Sequence, residues 1–444
     1  MNQQNINEHN WDVLIKHDRV HQKLYTDPTI FAEEMTKIFG MTWVYLAHES
    51  EVPNVNDYKT GYLGSRPIIV VRDRNDEFRV LFNRCTHRGA TVCRNDRGSA
   101  KVFTCPYHGW NFKNNGELAG VPWPKAYGDD FDTSEWGLKQ ARVESYRGFI
   151  FGTLNLNAPS LVDYLGPARE LLDQWLDRYD GKKLVVGNAH RMIYKGNWKL
   201  TYDNAADGYH VSFSHRSLFE TAGRMGEDKD MSYFAESPDY GPMVVQYLGN
   251  GHTFIDQRPN YKNIGDFWKQ QRPQPGREVY EEMIRERYQE EADALLDQAI
   301  GAQMNLNIFP NLCLIGNQIQ VIQPYAVDKT ELTWYSTTVD GLPEEINMLR
   351  MRTQEDFPAF GEPDDMTNFE ECHLGLTIPE VEWVHTGRGL GIPDRQTVDE
   401  RGVVSGPVTD ELHIRNYYQE WKRLMGQPSL KTLCENVKGG VSSV

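Results

Sequence analysis

No apolar run in the 444 residues approaches the roughly 18 that a membrane-crossing helix needs, so a transmembrane protein is excluded. The start, MNQQNINEHN, has neither the basic cluster nor the apolar stretch of a secretory signal, and a cytoplasmic location is expected. Positive charge is in deficit: 47 Lys and Arg stand against 63 Asp and Glu, a formal charge of −16, which argues against nucleic acid and anionic membrane as partners. Cysteine is scarce at six, and Cys93, Cys313, Cys372 and Cys434 are scattered without any pairing pattern. A disulfide framework is therefore not expected, and these four read as free thiols in a reducing compartment. There is no internal repeat, no low-complexity tract and no Gly-x-Gly-x-x-Gly after a strand, so a bound dinucleotide is not expected either.

What the chain does hold is two short sequences, Cys85-Thr86-His87 and Cys105-Pro106-Tyr107-His108, each offering one thiolate and one imidazole. Two Cys and two His are the ligand set of a Rieske-type [2Fe–2S] cluster, in which histidines on one iron raise the potential above that of an all-Cys cluster. Zinc also accepts Cys₂His₂. The flanking residues, which extend the two sequences to CTHRG and CPYHGW, favour the cluster.

The length predicts two or three domains. Residues 1–40 read as an N-terminal helical segment packing on the catalytic domain, with Asp27 as cap, Pro28 at the first helical position and Gly40 closing it. Residues 41–158 carry short strand-like runs, WVYLA, PIIVVRD, FRVLFN and GFIFGTL, and enclose both cluster loops. From 159 to 444 the pattern is mixed. Helical spacing runs over 159–179, β-rich segments over 184–193 and 306–339, and amphipathic helices over 277–300 and 410–425. The expected fold is α+β, an all-β cluster domain followed by an α+β catalytic domain with helices over an antiparallel sheet. The stretch 222–276 reads as loop or lid.

One segment of the second domain concentrates polar residues: Asp203-Asn204-Ala205-Ala206-Asp207-Gly208-Tyr209-His210-Val211-Ser212-Phe213-Ser214-His215. Two histidines with a carboxylate from elsewhere are the facial triad of non-heme Fe(II) oxygenases, which leaves coordination positions open for O₂. On a regular helix His210 and His215 would point roughly 140° apart, so the helix must bulge or end between them to serve one metal. Asp207, one turn before His210, is placed to orient its imidazole. The alternative makes Asp207 a turn cap and both histidines surface polar residues.

Together CTHRG, CPYHGW and NAADGYHVSFSH resemble the large (α) subunit of the Rieske non-heme iron aromatic-ring-hydroxylating dioxygenases, closest in look to the benzoate, anthranilate and aniline types. The resemblance spans nearly the whole chain. It implies a mononuclear Fe(II) held by His210, His215 and an aspartate of a later helix. In the segment 355–365 the Asp pair gives Asp365, with Asp364 as the fallback and a helix cap before Met366 as the structural alternative. It also implies that electrons cross between subunits of a trimer, from cluster ligand His108 through Asp207 to His210 of the next chain, with Asn204 and Tyr209 lining or supporting that route. The implied reaction uses O₂ and NADH-derived electrons to convert an aromatic ring to a cis-diol. The implied partners are a flavin reductase with or without a ferredoxin, and a small β subunit in an α₃β₃ assembly or else an α₃ homotrimer.

For the substrate, the resemblance favours a single aromatic ring with an amino and/or carboxyl group, in the aniline, anthranilate, benzoate or salicylate class. Ala205 is small and leaves room for a ring over the metal. In Met304 to Leu312 the alternation of Met304, Leu306 and Ile308 with Asn305 and Asn307 predicts a strand with two unlike faces. Asn305 or Asn307, and Gln318 or Gln320, can hydrogen-bond a ring substituent, and His252 can reach the pocket from the loop region. A Rieske monooxygenase shares every one of these ligands and is the alternative reading. A pure electron-transfer protein would need only the cluster domain, leaving His210, His215 and Asp365 without a use.

Overall fold

The computed structural model describes residues 10–217, 243–258 and 277–428. They divide into two compact units, one of residues 35–164 and one of residues 165–427 together with the N-terminal residues up to Glu34.

The first unit is all β. A seven-stranded antiparallel sheet runs in the order Val44–His48, Phe149–Thr153, Gln140–Tyr146, Phe78–Phe82, Arg66–Arg72, Asp57–Leu63 and Arg97–Ser99, beside a three-stranded sheet of Val102–Thr104, Asn111–Lys113 and Leu118–Gly120. Ile69, Val71, Leu81, Phe103, Phe112 and Leu138 form its core, and Cys85 and Cys105 belong to that core. Two thiols are thus buried at the ends of loops whose other residues reach the surface.

The second unit is built on a nine-stranded sheet among the described residues. Its spatial order is Leu184–Tyr194, Lys329–Val339, Gln318–Ala326, Leu312–Ile315, Met304–Ile308, Thr253–Asp256, Val244–Tyr247, Val404–Pro407 and Thr397–Val398. Every neighbouring pair is antiparallel. Helices Trp198–Ala205 and Glu362–Leu376 lie on this sheet. The Tyr202 hydroxyl donates to the Gly251 carbonyl at 2.8 Å, and Phe369 packs on Tyr194 with ring centroids 5.2 Å apart. The expected α+β class, strand-rich first part and helix-covered antiparallel sheet are borne out.

Local signals explain the element ends. Asp27 accepts the Thr29 N–H at 2.8 Å and Pro28 opens the helix Pro28–Lys37. Gly166 and Pro167 split the 159–179 pattern into helices Leu161–Leu165 and Ala168–Asp177, and a turn at Gln289–Glu291 splits 277–300. The stretch read as loop or lid needs a correction: Val244–Tyr247 and Thr253–Asp256 form a hairpin inside the main sheet. Its turn holds Gly249, Asn250 and Gly251, all at positive φ, and such glycine-rich turns hide the short strands they join. Residues 222–242 and 259–276 of that stretch lie outside the described residues. No helix among the described residues is long and apolar enough to cross a membrane.

Behind the helix Trp198–Ala205 a buried ion pair ties the N-terminal segment down. Glu34 accepts from Lys199 Nζ at 2.6 Å, from Trp198 Nε1 at 2.9 Å and from Trp421 Nε1 at 2.8 Å, with both charged side chains fully buried. Three segments far apart in sequence share one carboxylate. Removing one partner of such a pair leaves the other charge uncompensated, so Lys199→Met should cost about 3–5 kcal/mol, read as a lower urea midpoint at unchanged slope.

Candidate metal centres

The two cluster loops are near copies of each other. Cys85 N–H donates to the Ala90 carbonyl at 2.8 Å and Gly89 N–H to the Cys85 carbonyl at 3.0 Å; Cys105 N–H donates to Trp110 and Gly109 N–H to Cys105 at the same two distances. Each loop closes through a glycine at positive φ, +82° at Gly89 and +70° at Gly109, which explains why both sequences carry Gly four residues after Cys. The thiols point into the core, while His87 and His108 are only half-buried, with ring centroids 4.7 Å apart. Trp110 of one loop stacks on His87 of the other, at 5.0 Å and 4°. His87 Nδ1 is buried without a partner, as an atom waiting for a metal would be.

One closed zinc site would draw all four ligand atoms together. Among the described residues, however, only His210, His215 and Asp365 bring three possible ligand atoms within 4.8 Å of one another. Soft thiolates inside and imidazoles outside fit a [2Fe–2S] cluster.

The second centre is built at a broken helix. Asn197 caps Trp198–Ala205 by accepting the Lys199 N–H at 3.1 Å. The helix stops at Ala206, and Asp207 Oδ1 then takes the Tyr209 N–H at 2.6 Å. The following helix, Val211–Ser214, is a single turn, with His210 before it and His215 after it in a non-helical conformation. The expected bulge between the histidines is not there: His210 is itself helical, Ser214 N–H donates to the His210 carbonyl at 2.9 Å and His215 N–H to that of Val211 at 3.2 Å, and the helix ends only at His215.

Asp365 comes from the first turn of Glu362–Leu376, which follows a π-helical turn at Phe357–Gly361. Pro358 and Pro363 lack the N–H that a continuous α ladder would use there. Asp365 Oδ1 lies 3.7 Å from His210 Nε2 and 3.4 Å from His215 Nε2. Each imidazole is backed on its other nitrogen by a carboxylate: Asp207 Oδ2 is 3.4 Å from His210 Nδ1, and Asp364 Oδ2 is 3.5 Å from His215 Nδ1. Hence Asp365 faces the centre and Asp364 faces away from it. Two Nε2 atoms and one carboxylate oxygen, with outer carboxylates on the histidines, suit a ferrous ion with open positions.

Electrostatics agree with a cation here. Burial opposes charge on His210, but the Asp207 and Asp365 carboxylates outweigh it and its net shift is upward. Burial likewise opposes charge on Asp207, and His210 outweighs it, holding that carboxyl below its ordinary value. Glu362, one turn before Asp365, is pushed well above the carboxylate range by burial and then by Asp365.

The other expected residues are placed as follows. Asn204 Nδ2 donates to Asp365 Oδ1 at 3.5 Å. Tyr209 is surface-exposed beside Asp207, under the Arg388 guanidinium at 4.1 Å. Ala205 is buried in its helix. Asn307 is fully buried and Asn305 half-buried on one strand, so Asn307 is not explained by a solvent-facing side. His252 is buried in the hairpin, where its Nδ1 accepts the Phe309 N–H at 3.0 Å.

Sequence reasoning missed Asp203, whose carboxylate takes the hydroxyls of Tyr25, at 2.7 Å, and of Tyr417, and is pushed up to about 7 by burial. It also missed the role of Gly208. A Cβ there would meet Val408 Cγ2 at 2.5 Å and the Val408 carbonyl at 2.9 Å. Gly208→Ala should therefore cost roughly 1–3 kcal/mol and loosen the neighbouring Asp207 and His210. Thermal unfolding and iron content of the purified variant check both effects.

A cluster-binding β domain and a two-histidine, one-carboxylate centre on a helix-covered sheet define the class of iron–sulfur-fed oxygenases. Residues 42–146 match the Rieske [2Fe-2S] domain and residues 181–427 the catalytic domain of the ring hydroxylating alpha subunit. The chain belongs to this family of ring-hydroxylating dioxygenase α subunits, with a Rieske cluster and a mononuclear iron as cofactors. It is 34% identical to the anthranilate 1,2-dioxygenase large subunit of Acinetobacter baylyi, over 92% of this chain and 89% of that one. Identity to the 2-halobenzoate 1,2-dioxygenase large subunit of Burkholderia cepacia is also 34%, over 84% and 80%. A solved naphthalene 1,2-dioxygenase with indole in its active site superposes with a TM-score of 0.76 at 26% identity, covering 96% of each chain.

Proposed function

We propose that the chain dihydroxylates a single aromatic ring bearing an amino and/or carboxyl group, with His210, His215 and Asp365 holding the iron and Cys85, His87, Cys105 and His108 the cluster. The observation that carries this is the convergence of two backed Nε2 atoms and the Asp365 carboxylate on one point. When bound, the cluster supplies single electrons and the ferrous ion activates O₂ for addition of both atoms to the ring. The chain's own groups do the positioning. Asp364 shares a 3.5 Å hydrogen bond with His215 Nδ1, and the Asp207 carboxylate lies 3.4 Å from His210 Nδ1, so that both favour inward Nε2 lone pairs. Asn204 steadies Asp365 through its amide. By the family resemblance, Asp207 would link cluster ligand His108 of one subunit to His210 of the next in a trimer.

Three relatives at 34% identity are named for anthranilate, 2-halobenzoate and toluate, which supports a one-ring substrate, although biphenyl dioxygenase α subunits match at 31–32% over as much of the chain. They are named as large or α subunits, which supports a partner β subunit in an α₃β₃ assembly. Electrons would come from a flavin reductase, with or without a ferredoxin, in the cytoplasm. In these terms residues 1–40, 41–158 and 159–444 are the N-terminal segment, the Rieske domain and the catalytic domain. Turnover of aniline, anthranilate, benzoate and salicylate under ¹⁸O₂ tests the reading. A cis-diol with both oxygens labelled from one O₂ supports it, and a product with a single labelled oxygen replaces it with a monooxygenase.

A further inference from the structure

A row of polar side chains crosses the catalytic sheet. Strand pairing sets Thr253 opposite Asn307, Asn307 opposite Cys313, Cys313 opposite Gln320 and Gln320 opposite Trp334. Directly paired residues share a face, so these five side chains from five strands line up on one side of the sheet. That side meets the helix carrying Asp365, because Gln320 Nε2 donates to Glu362 Oε2 at 3.2 Å and Glu362 lies one turn before Asp365. The row is thus anchored to the same helical turn that supplies the inward carboxylate.

Asn307 is fully buried and Gln320 is 2% exposed. Their amide nitrogens are committed, Asn307 Nδ2 to Thr253 Oγ1 at 3.0 Å and Gln320 Nε2 to Glu362. Their carbonyl oxygens are buried without a partner, while the Glu362 carboxyl also meets the Trp334 indole N–H. Buried acceptors are normally satisfied, and two amide oxygens in one row ask for donors. Among the described residues no Lys or Arg hydrogen-bonds or ion-pairs with the side chains of Asn307, Gln320 or Glu362, whose contacts are Thr253, Trp334 and one another. A substrate carboxylate would find no Arg or Lys to pair with among these groups.

We propose that Asn307 and Gln320, the latter held by Glu362, form the subsite that recognises a hydrogen-bond-donating ring substituent, a neutral aromatic amine or hydroxyl, and so set the substrate preference. This rests on the iron site being the His210, His215 and Asp365 centre. Asn307 and Gln320 are specificity residues that act on the substituent, not on the reacting carbons.

The test is equilibrium binding of aniline, phenol and toluene to the purified full chain, since the three differ in one substituent of similar size. Aniline or phenol should bind at least about tenfold more tightly than toluene, and the arm that binds tighter identifies the donor. In Asn307→Leu and Gln320→Leu that advantage should fall to about threefold or less while toluene binds as well or better, which a merely structural role would not produce. Gln320→Glu retains acceptor oxygens and should keep the preference, covering the case in which a leucine variant does not fold. Equal binding of all three by the unaltered chain, as when water satisfies the row, would overturn the subsite. So would a preference that survives both leucine substitutions. Efficient dihydroxylation of benzoate with no preference for amines would remove the subsite and leave the dioxygenase reading intact, whereas failure to dihydroxylate any one-ring aromatic would remove that reading.

Discussion

Asp207→Asn should bind both metals like the parent chain and yet form product at least about 100-fold more slowly, the upper range for loss of a carboxylate behind a metal-bound histidine. Asparagine has the same shape, so the turn and the fold survive. The difference is in the oxygens. Asp207 uses Oδ1 for the Tyr209 N–H and turns Oδ2 to His210 Nδ1. An amide has one oxygen for these two donors. If it keeps Tyr209, an NH₂ group confronts the His210 Nδ1–H; if it turns to His210, the loop loses the bond that ends the helix. The negative charge disappears in either case, and with it the influence that raises His210. Iron content, the spectrum of the reduced cluster and the product yield of the variant would be measured together. Normal turnover would remove Asp207 from the electron route.

Asp365→Ala should be more damaging still, with the mononuclear iron lost, the cluster retained and product undetectable. Asp365 Oδ1 is within 4 Å of both inward imidazole nitrogens, and loss of an inner ligand exceeds the 10–100-fold typical of outer groups. Asp364 is no substitute, because it lies beside His215 Nδ1, on the side away from the centre. Asp364→Ala should accordingly weaken iron binding by only about 10–100-fold. Iron analysis after gel filtration separates the two variants, and equal loss in both would undo the assignment of inward and outward aspartates.

The two centres were unequally legible in the sequence. The cluster loops are local: ligands, closing glycines and the stacking Trp110 all sit in two short segments, so motif and geometry coincide. The histidine pair is local as well, at the two ends of the one-turn helix that follows the Asp207-Gly208 break. Asp365 is preferred to Asp364 from the Asp pair by resemblance, whereas the reason one turns inward and the other outward, the phase of the helix after the π turn, is one no spacing rule supplies. Strand register was out of reach altogether. Asn307 and Gln320 could be suspected singly, but their alignment with each other and with Glu362 depends on pairings among strands joined by turns of several lengths. The same holds for Glu34, whose partners Lys199 and Trp421 lie 165 and 387 residues away.

The most direct measurement is a single turnover without any reductase. The purified chain is reduced anaerobically, freed of reductant and given O₂ with one-ring aromatics. The account predicts a cis-diol in an amount that tracks mononuclear iron, with the cluster reoxidised in step. Reoxidation of the cluster with no oxygenated ring would contradict it and leave the chain an electron carrier.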